Sequence, residues 1–335
     1  MERFYPLDQA IIGGIEVRVA VSAPATSANL GPGFDSFGIC LEKPHDTVIA
    51  RRIDGSGLIM KVTGVAAGMI PSDPQGNTAG RAALAACRMV DYRGGMEILL
   101  RKGVRPGSGI GSSAASAAAA AAAAASLIGG LTVQEIIEAA AEGESASAGE
   151  EHADNVAAAI LGGLTLVRSI HPMEVKRIQP PKSLRLVVAL PDMYVSTMEA
   201  RKILPKEIPL ASMVKNVARA STMIAAIMEG DIELFGKAMD DDVVEPIRAK
   251  LIKGYSEVKL AAKRSGASGV TISGSGPAML AIVDGERVSP LKVAASMAQA
   301  FRREHVGCKT IVSKVGRGIT TSSSPLPAGK RRVHS

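Results

Sequence analysis

Residues 105–130 read RPGSGIGSSAASAAAAAAAAASLIGG. Glycines alternate at Gly107, Gly109 and Gly111, hydroxyls follow at Ser112 and Ser113, and an alanine tract begins at once. Alanine is the strongest helix former, and the tract lacks the charge and proline of disordered segments. It predicts a long helix whose small side chains let neighbours pack close beneath a loop. Glycine lets the backbone curl around an anion. A helix start adds unpaired N–H groups at the positive end of its dipole. The stretch therefore reads as a phosphate cradle over Pro106, Gly107, Ser108, Gly109, Ile110, Gly111, Ser112, Ser113 and Ala114. No Lys follows the last glycine, so this is no Walker A loop, and the GxGxG spacing departs from the dinucleotide fingerprint.

The flanks mix strands and helices without strict alternation. IEVRVAVSAP alternates as a strand that Pro24 should end, and TVIARRI, GLIMKVTG and GMEILLRKG read as further strands. GNTAGRAALAACRMV reads as a helix capped by Asn77 or Thr78. LTVQEIIEAAAEGESAS is a helix with Thr132 and Glu135 in a capping-box spacing. After the connector IQPPKS near residue 180 come the strand LRLVVALPD and two helices split by EGD. GVTISGSGPAMLAIVD is then a strand, turn and strand, followed by a last helix and the strand CKTIVSKV. This pattern predicts two α+β domains. They are expected at 15–178 and 179–316, after a leader at 1–14 and before a basic, disordered tail at 317–335.

Composition narrows the function. The 335 residues are 47% hydrophobic and only 3% aromatic, so the core is aliphatic. The net charge of +7 is spread over GKRRVHS, RREH and AAKRSG without interleaved aromatics, which argues against a nucleic-acid partner. Cys40, Cys87 and Cys308 show neither metal spacing nor a disulfide framework. No signal sequence or membrane span is evident, so the expected compartment is the cytoplasm, with no membrane partner.

Two further glycine segments stand out. SAPATSANLGPGFDSFG, Ser22–Gly38, places Asn29, Gly31, Gly33 and Asp35 directly after a strand. TISGSGPAML, Thr271–Leu280, reads locally as a hairpin whose Gly274, Ser275 and Gly276 could offer amides to an anion. The order PATSANLGPGFDSFG, then PGSGIGSSAAS, then TISGSGPAML resembles the GHMP kinase superfamily, named for galactokinase, homoserine kinase, mevalonate kinase and phosphomevalonate kinase. Within it, TSANLGPGFDSFG, EHADNVAAAILGG, EARKILP and VVEPIRAKLI are similar to the homoserine kinases. The resemblance covers roughly residues 15–316.

The resemblance implies a two-domain α+β fold. The N-terminal domain is like ribosomal protein S5 domain 2, the C-terminal domain is ferredoxin-like, and ATP lies at the second segment. It implies phosphorylation of the L-homoserine hydroxyl by ATP, a step toward threonine, in a homodimer. Ser113 and Glu144 would hold Mg²⁺, Asn77 would line the adenine, and Gly274, Ser275 and Gly276 would complete the ATP site. Asn29 and Asp35 would meet the amino-acid end or the hydroxyl region of the substrate. Arg201 and Arg248 would take its carboxylate, a task suited to a planar guanidinium fork. Asn155, Asp154 and His152 would be the catalytic group: Asn155 would orient the reacting hydroxyl, Asp154 would support the loop and is the nearest candidate for a base, and His152 falls between Glu144 and Asn155. A dedicated base is not required, because a loose phosphoryl-transfer transition state demands little early deprotonation. Three alternatives remain open at this stage: a shikimate or mevalonate kinase of the same fold, a non-catalytic nucleotide-binding regulator, and a nucleic-acid binder using the basic tail.

Overall fold

The computed structural model describes residues 11–12, 15–148 and 151–325. The strands are β1 (Ile11–Ile12), β2 (Ile15–Ala28), β3 (Phe37–Ile53), β4 (Gly57–Gly64), β5 (Gly95–Lys102) and β6 (Leu164–Ser169). They continue as β7 (Glu174–Ile178), β8 (Leu184–Pro191), β9 (Gly269–Ile272), β10 (Met279–Asp284), β11 (Cys308–Lys314) and β12 (Thr320–Pro325). The helices are α1 (Thr78–Met89), α2 (Ser112–Ile128), α3 (Val133–Ala148), α4 (Asp154–Leu161) and α5 (Thr197–Lys202). They continue as α6 (Leu210–Glu229), α7 (Ile232–Lys237), α8 (Glu245–Arg248), α9 (Tyr255–Arg264) and α10 (Pro290–Arg303).

Among these residues the strands form two sheets. The larger runs β1-β2-β3-β5-β4, with β12 on β2, β6 on β3 and β7 on β6. Only β4 and β5 pair in parallel there, and the crossover between them carries α1. The smaller sheet runs β11-β8-β10-β9 and is antiparallel throughout.

The alanine tract is α2, and it lies at the centre of the first layer. Ala114 to Leu127 are buried without a break, because α1, α3 and α4 surround the helix on the sides that β2 and β3 leave open. A helix enclosed on every side has no polar face to keep, which accounts for its lack of amphipathic pattern. Small side chains continue into its neighbours. A Cβ on Gly143 of α3 would lie 2.6 Å from the Ala82 Cβ of α1, so these helices touch nearly backbone to backbone.

A second core joins the two sheets. Ile39, Leu41 and Ile110 from the first half pack with Leu186, Val188, Phe235 and Leu280 from the second. Gly31 makes the closest approach: a Cβ there would fall 1.9 Å from the Met239 carbonyl oxygen. A third core lies on the far face of the smaller sheet, under α9 and α10.

Two local expectations need correction. Pro24 does not end its strand. β2 runs on to Ala28, with the register shifting between Pro24 and Thr26, and a bulge is where a strand tolerates proline. Nor is the tail irregular from residue 317. Thr320–Pro325 pairs antiparallel with Val17–Ser22 as β12, which uses backbone groups and needs no apolar pattern. Residues 326–335 of the tail and, apart from Ile11–Ile12, the leader lie outside the described residues.

Candidate active site

The glycine loop between β5 and α2 has a physical reason for each glycine. Gly107, Gly109 and Gly111 all take positive φ, at 67°, 78° and 62°. Their missing side chains are also filled by neighbours. A Cβ on Gly111 would sit 2.0 Å from Thr26 Oγ1, one on Gly109 2.8 Å from the Gly276 carbonyl, and one on Gly107 2.8 Å from the Tyr194 ring. Ile110 buries its side chain between the sheets and accepts the Thr26 amide through its carbonyl at 3.2 Å. No side chain caps α2 at Gly111.

Ser113, one residue into α2, donates from Oγ to Glu144 Oε1 on α3 at 2.8 Å. Glu144 is buried. Burial, then the charge of Asp154, pushes its carboxyl up to about 8. Asp154, also buried, is pushed up to about 7 by burial first and then by Asp35. Two carboxyls that burial drives toward protonation form a place where a cation would be favoured. The donor set is one hydroxyl and one carboxylate, both hard oxygen. It suits Mg²⁺, which keeps phosphate and water oxygens in its shell.

The segment after β2 is strained in the manner of a binding loop. Asn29, Leu30, Gly31 and Asp35 all have positive φ, at 73°, 47°, 74° and 54°. The Asn29 side chain holds the loop closed. Its Oδ1 accepts the Asp35 amide at 3.1 Å, and its Nδ2 donates to the Gly274 carbonyl at 2.8 Å. The Asp35 carboxylate meets Arg201 at the end of α5, Nη2 to Oδ2 at 2.7 Å, with His152 Nδ1 3.7 Å away. Arg248 is 3% exposed, donates to the carbonyls of Ala200 and Gly274 at 3.2 Å each, and lies 5.1 Å from the Phe34 ring centroid. Arg201 sits 5.4 Å from the same ring, so Phe34 carries both cations. Burial lowers Arg248 to about 10, which leaves it charged at neutral pH.

Asn155, at the start of α4, joins the two regions. Its Oδ1 accepts from Thr26 Oγ1 at 2.7 Å and would lie 3.0 Å from a Cβ on Gly111. Asp154 Oδ1 in turn accepts the Asn155 amide at 2.7 Å. The glycine loop, the acidic pair and the Asp35–Arg201 bridge thus share one wall.

The third glycine segment is a hub rather than a cradle. The Gly274 amide donates to the Ala28 carbonyl at 3.1 Å and the Gly276 amide to the Ser273 carbonyl at 2.9 Å. The expectation that these two amides meet an anion is therefore corrected, because both are already spent. Ser275 Oγ lies 3.2 Å from Thr197 Oγ1, and Ser273 Oγ donates to the Gly109 carbonyl at 2.6 Å. Asn77 is buried and caps α1. Its Oδ1 accepts the Ala79 amide at 2.9 Å and its Nδ2 donates to the Pro71 carbonyl at 2.7 Å.

Sequence reasoning missed Thr26, Phe34, Asp46 and Lys102. Thr26 and Phe34 carry no signal beyond lying in the first glycine segment. Lys102 does carry one, because it falls in phase with Met96, Ile98 and Leu100 on the buried face of β5.

Comparison with known proteins places the chain in a family. The family described as GHMP kinases N terminal domain matches residues 77–163, and that described as GHMP kinases C terminal matches 223–303. Homoserine kinase of Methanococcus vannielii is 44% identical over 303 residues, 90% of this chain and 97% of that protein. Homoserine kinase of Pyrococcus furiosus is 43% identical over 298 residues, 89% and 98% of the two chains. The crystal structure of homoserine kinase from Cytophaga hutchinsonii superposes with a TM-score of 0.86 at 36% identity, covering 91% of this chain and 97% of that one. Mevalonate kinase of L. major, with R-mevalonate, shares the fold at a TM-score of 0.65 and 16% identity.

Proposed function

The chain belongs to the GHMP kinase family, and on that basis we propose that it is a homoserine kinase, converting ATP and L-homoserine to ADP and O-phospho-L-homoserine. One observation carries the reading. The Thr26–Asn155 contact at 2.7 Å seats the end of the glycine loop next to Asp154, whose carboxyl feels the charges of the Asp35–Arg201 bridge. A phosphate donor and a doubly charged acceptor can therefore lie end to end.

The acceptor is a zwitterion. Asp35 and Arg201, now paired with each other, can each turn to one charge of an amino acid, ammonium to carboxylate and carboxylate to guanidinium. Arg248, held over Phe34, adds a second cation on the carboxylate side. Mevalonate and shikimate have a carboxylate but no ammonium, so neither offers Asp35 a positive charge of its own. This favours the amino acid among substrates of the fold.

The donor is ATP, with its phosphates along Pro106–Ala114 and its base end toward Asn77. Ser113 and Glu144 would hold Mg²⁺, which when bound neutralises charge on the outer phosphates. Asn155 orients the acceptor hydroxyl toward the loop, and Asp154 fixes Asn155 from beneath. Phosphoryl transfer depends on such positioning more than on a strong base. The γ-phosphate can take the hydroxyl proton.

Two further assignments accompany the reaction. No helix among the described residues is long and apolar enough to cross a membrane, and Cys40, Cys87 and Cys308 are free thiols. Both fit a cytoplasmic biosynthetic enzyme. Leu210, Met213, Val214 and Val217 form an exposed apolar stripe on α6, a face that a second copy would cover in a homodimer. Sedimentation of Val217→Glu, expected to shift toward monomer, tests that stripe. The activity itself is tested by phosphorus NMR of the product. A phosphate monoester that forms only with ATP and L-homoserine together supports the reading, and its absence defeats it.

A further inference from the structure

The last residue of β5, Lys102, is a lysine on a buried face, with its side chain 2% exposed. Its ammonium meets Asp46 Oδ2 of β3, Ser116 Oγ at 2.8 Å, and the oxygen atoms of Ser112, Oγ at 2.9 Å and the carbonyl at 3.0 Å. Asp46, fully buried, uses both of its oxygen atoms. Oδ1 accepts the amides of Gly103 and Val104 at 2.8 and 2.9 Å, and Oδ2 accepts Ser116 Oγ at 2.7 Å beside the lysine. Ser112 Oγ in turn donates to the Val104 carbonyl at 2.9 Å. One network therefore ties the two residues that enter the glycine loop to the first turn of the helix that leaves it. Only residues 105–111 lie outside its grip.

A buried ion pair is a poor source of stability, because desolvating two charges offsets most of their attraction. Nor does this pair draw in phosphate, since it is neutral as a unit. What it does supply is fixed geometry. The loop ends are backbone groups outside any sheet ladder, and the carboxylate and ammonium give them charge-assisted partners of defined direction. A loop held at both ends presents its amides already aimed, so less ordering is lost when an anion arrives.

We propose that Lys102 and Asp46 are positioning residues for the nucleotide, clamping the phosphate loop at both ends without touching the ligand. The proposal rests on the reading of Pro106–Ala114 as the ATP loop. It assigns a role in the reaction to a strand-end lysine and a strand carboxylate 56 residues apart.

The test uses Lys102→Met and the double variant Lys102→Met/Asp46→Asn. The single variant leaves a carboxylate buried alone and can fail to fold. The double variant removes both charges, while the side-chain carbonyl that replaces the carboxylate on β3 still accepts the loop amides, so it keeps the measurement open. ADP affinity is read by calorimetry with Mg²⁺ present, and KM is measured for each substrate at temperatures well below the melting transition. The expected result for the folded double variant is ADP binding and KM for ATP weaker by at least about tenfold, with KM for homoserine within about threefold of the parent. Unchanged ADP affinity would overturn the proposal. So would an equal loss for both substrates, which would mark the pair as part of the general fold. Failure of the parent protein itself to bind ADP would instead overturn the nucleotide reading of the loop.

Discussion

Arg201 grips Asp35 at two points, Nη2 to Oδ2 at 2.7 Å and Nη1 to Oδ1 at 3.3 Å, across 166 residues of sequence. Without substrate, the two charges that would read an amino acid satisfy each other. Removing either should damage homoserine recognition far more than nucleotide binding. Arg201→Met and Asp35→Asn are each expected to lower kcat/KM for homoserine by about 10- to 100-fold, the cost of losing one charge-assisted contact to the substrate from a half-buried pair. KM for ATP should barely move. Steady-state kinetics with each substrate varied in turn will show this split, and equal effects on both substrates would contradict it.

Asp154 lies under Asn155 and accepts its amide at 2.7 Å. If it supports the loop rather than removing the proton, Asp154→Asn should keep turnover within about 100-fold of the parent, below the usual upper range for loss of a general base. A fall of several orders of magnitude in kcat with homoserine still bound would make Asp154 the base.

Glu144 and Asp154 also set a pH dependence. Their carboxyls titrate near 4.5 and 3.8 ordinarily, and near 8 and 7 in the folded protein. The folded state therefore holds more protons than the unfolded chain between about pH 4 and pH 8. The stability this contributes is complete below the unfolded values and is lost as pH rises through 7 and 8. The melting temperature of the substrate-free protein should fall from pH 6 to pH 9, and Glu144→Gln should flatten the fall. Melting followed by circular dichroism decides the point. A pH profile unchanged by Glu144→Gln would contradict it.

Gly31 is confined twice, by its φ of 74° and by the Met239 carbonyl 1.9 Å from where a Cβ would be. Gly31→Ala should destabilise the fold by about 1–3 kcal/mol, since backbone must move to admit one methyl. Urea unfolding measures this, and a variant as stable as the parent would show that the two halves are not seated through this contact.

Much of this was legible in the sequence, and the reasons for the rest are physical. The capping box at Thr132 and Glu135 is a local pattern, and it forms as read: Thr132 N–H to Glu135 Oε2 at 2.6 Å, Glu135 N–H to Thr132 Oγ1 at 3.3 Å. The alanine run predicts its helix by propensity alone, although its enclosure on all sides becomes visible only once α1, α3 and α4 are in place. β12 was illegible because TTSSSP pairs through backbone at a sheet edge and shows no alternation. The Thr26–Asn155 bond spans 129 residues, and no spacing rule reaches that far. The spent amides of Gly274 and Gly276 show the converse limit. Glycine signals a special backbone, and either a ligand or another loop can be what requires it.

The central claim is the zwitterionic acceptor, and a coupled assay of ADP release with L-homoserine, shikimate and mevalonate supplied in turn tests it most directly. The Asp35–Arg201 pair predicts turnover of homoserine, with kcat/KM at least about 10³-fold above either carboxylate lacking an ammonium. No homoserine-dependent ADP, or faster turnover of shikimate or mevalonate, would contradict the assignment.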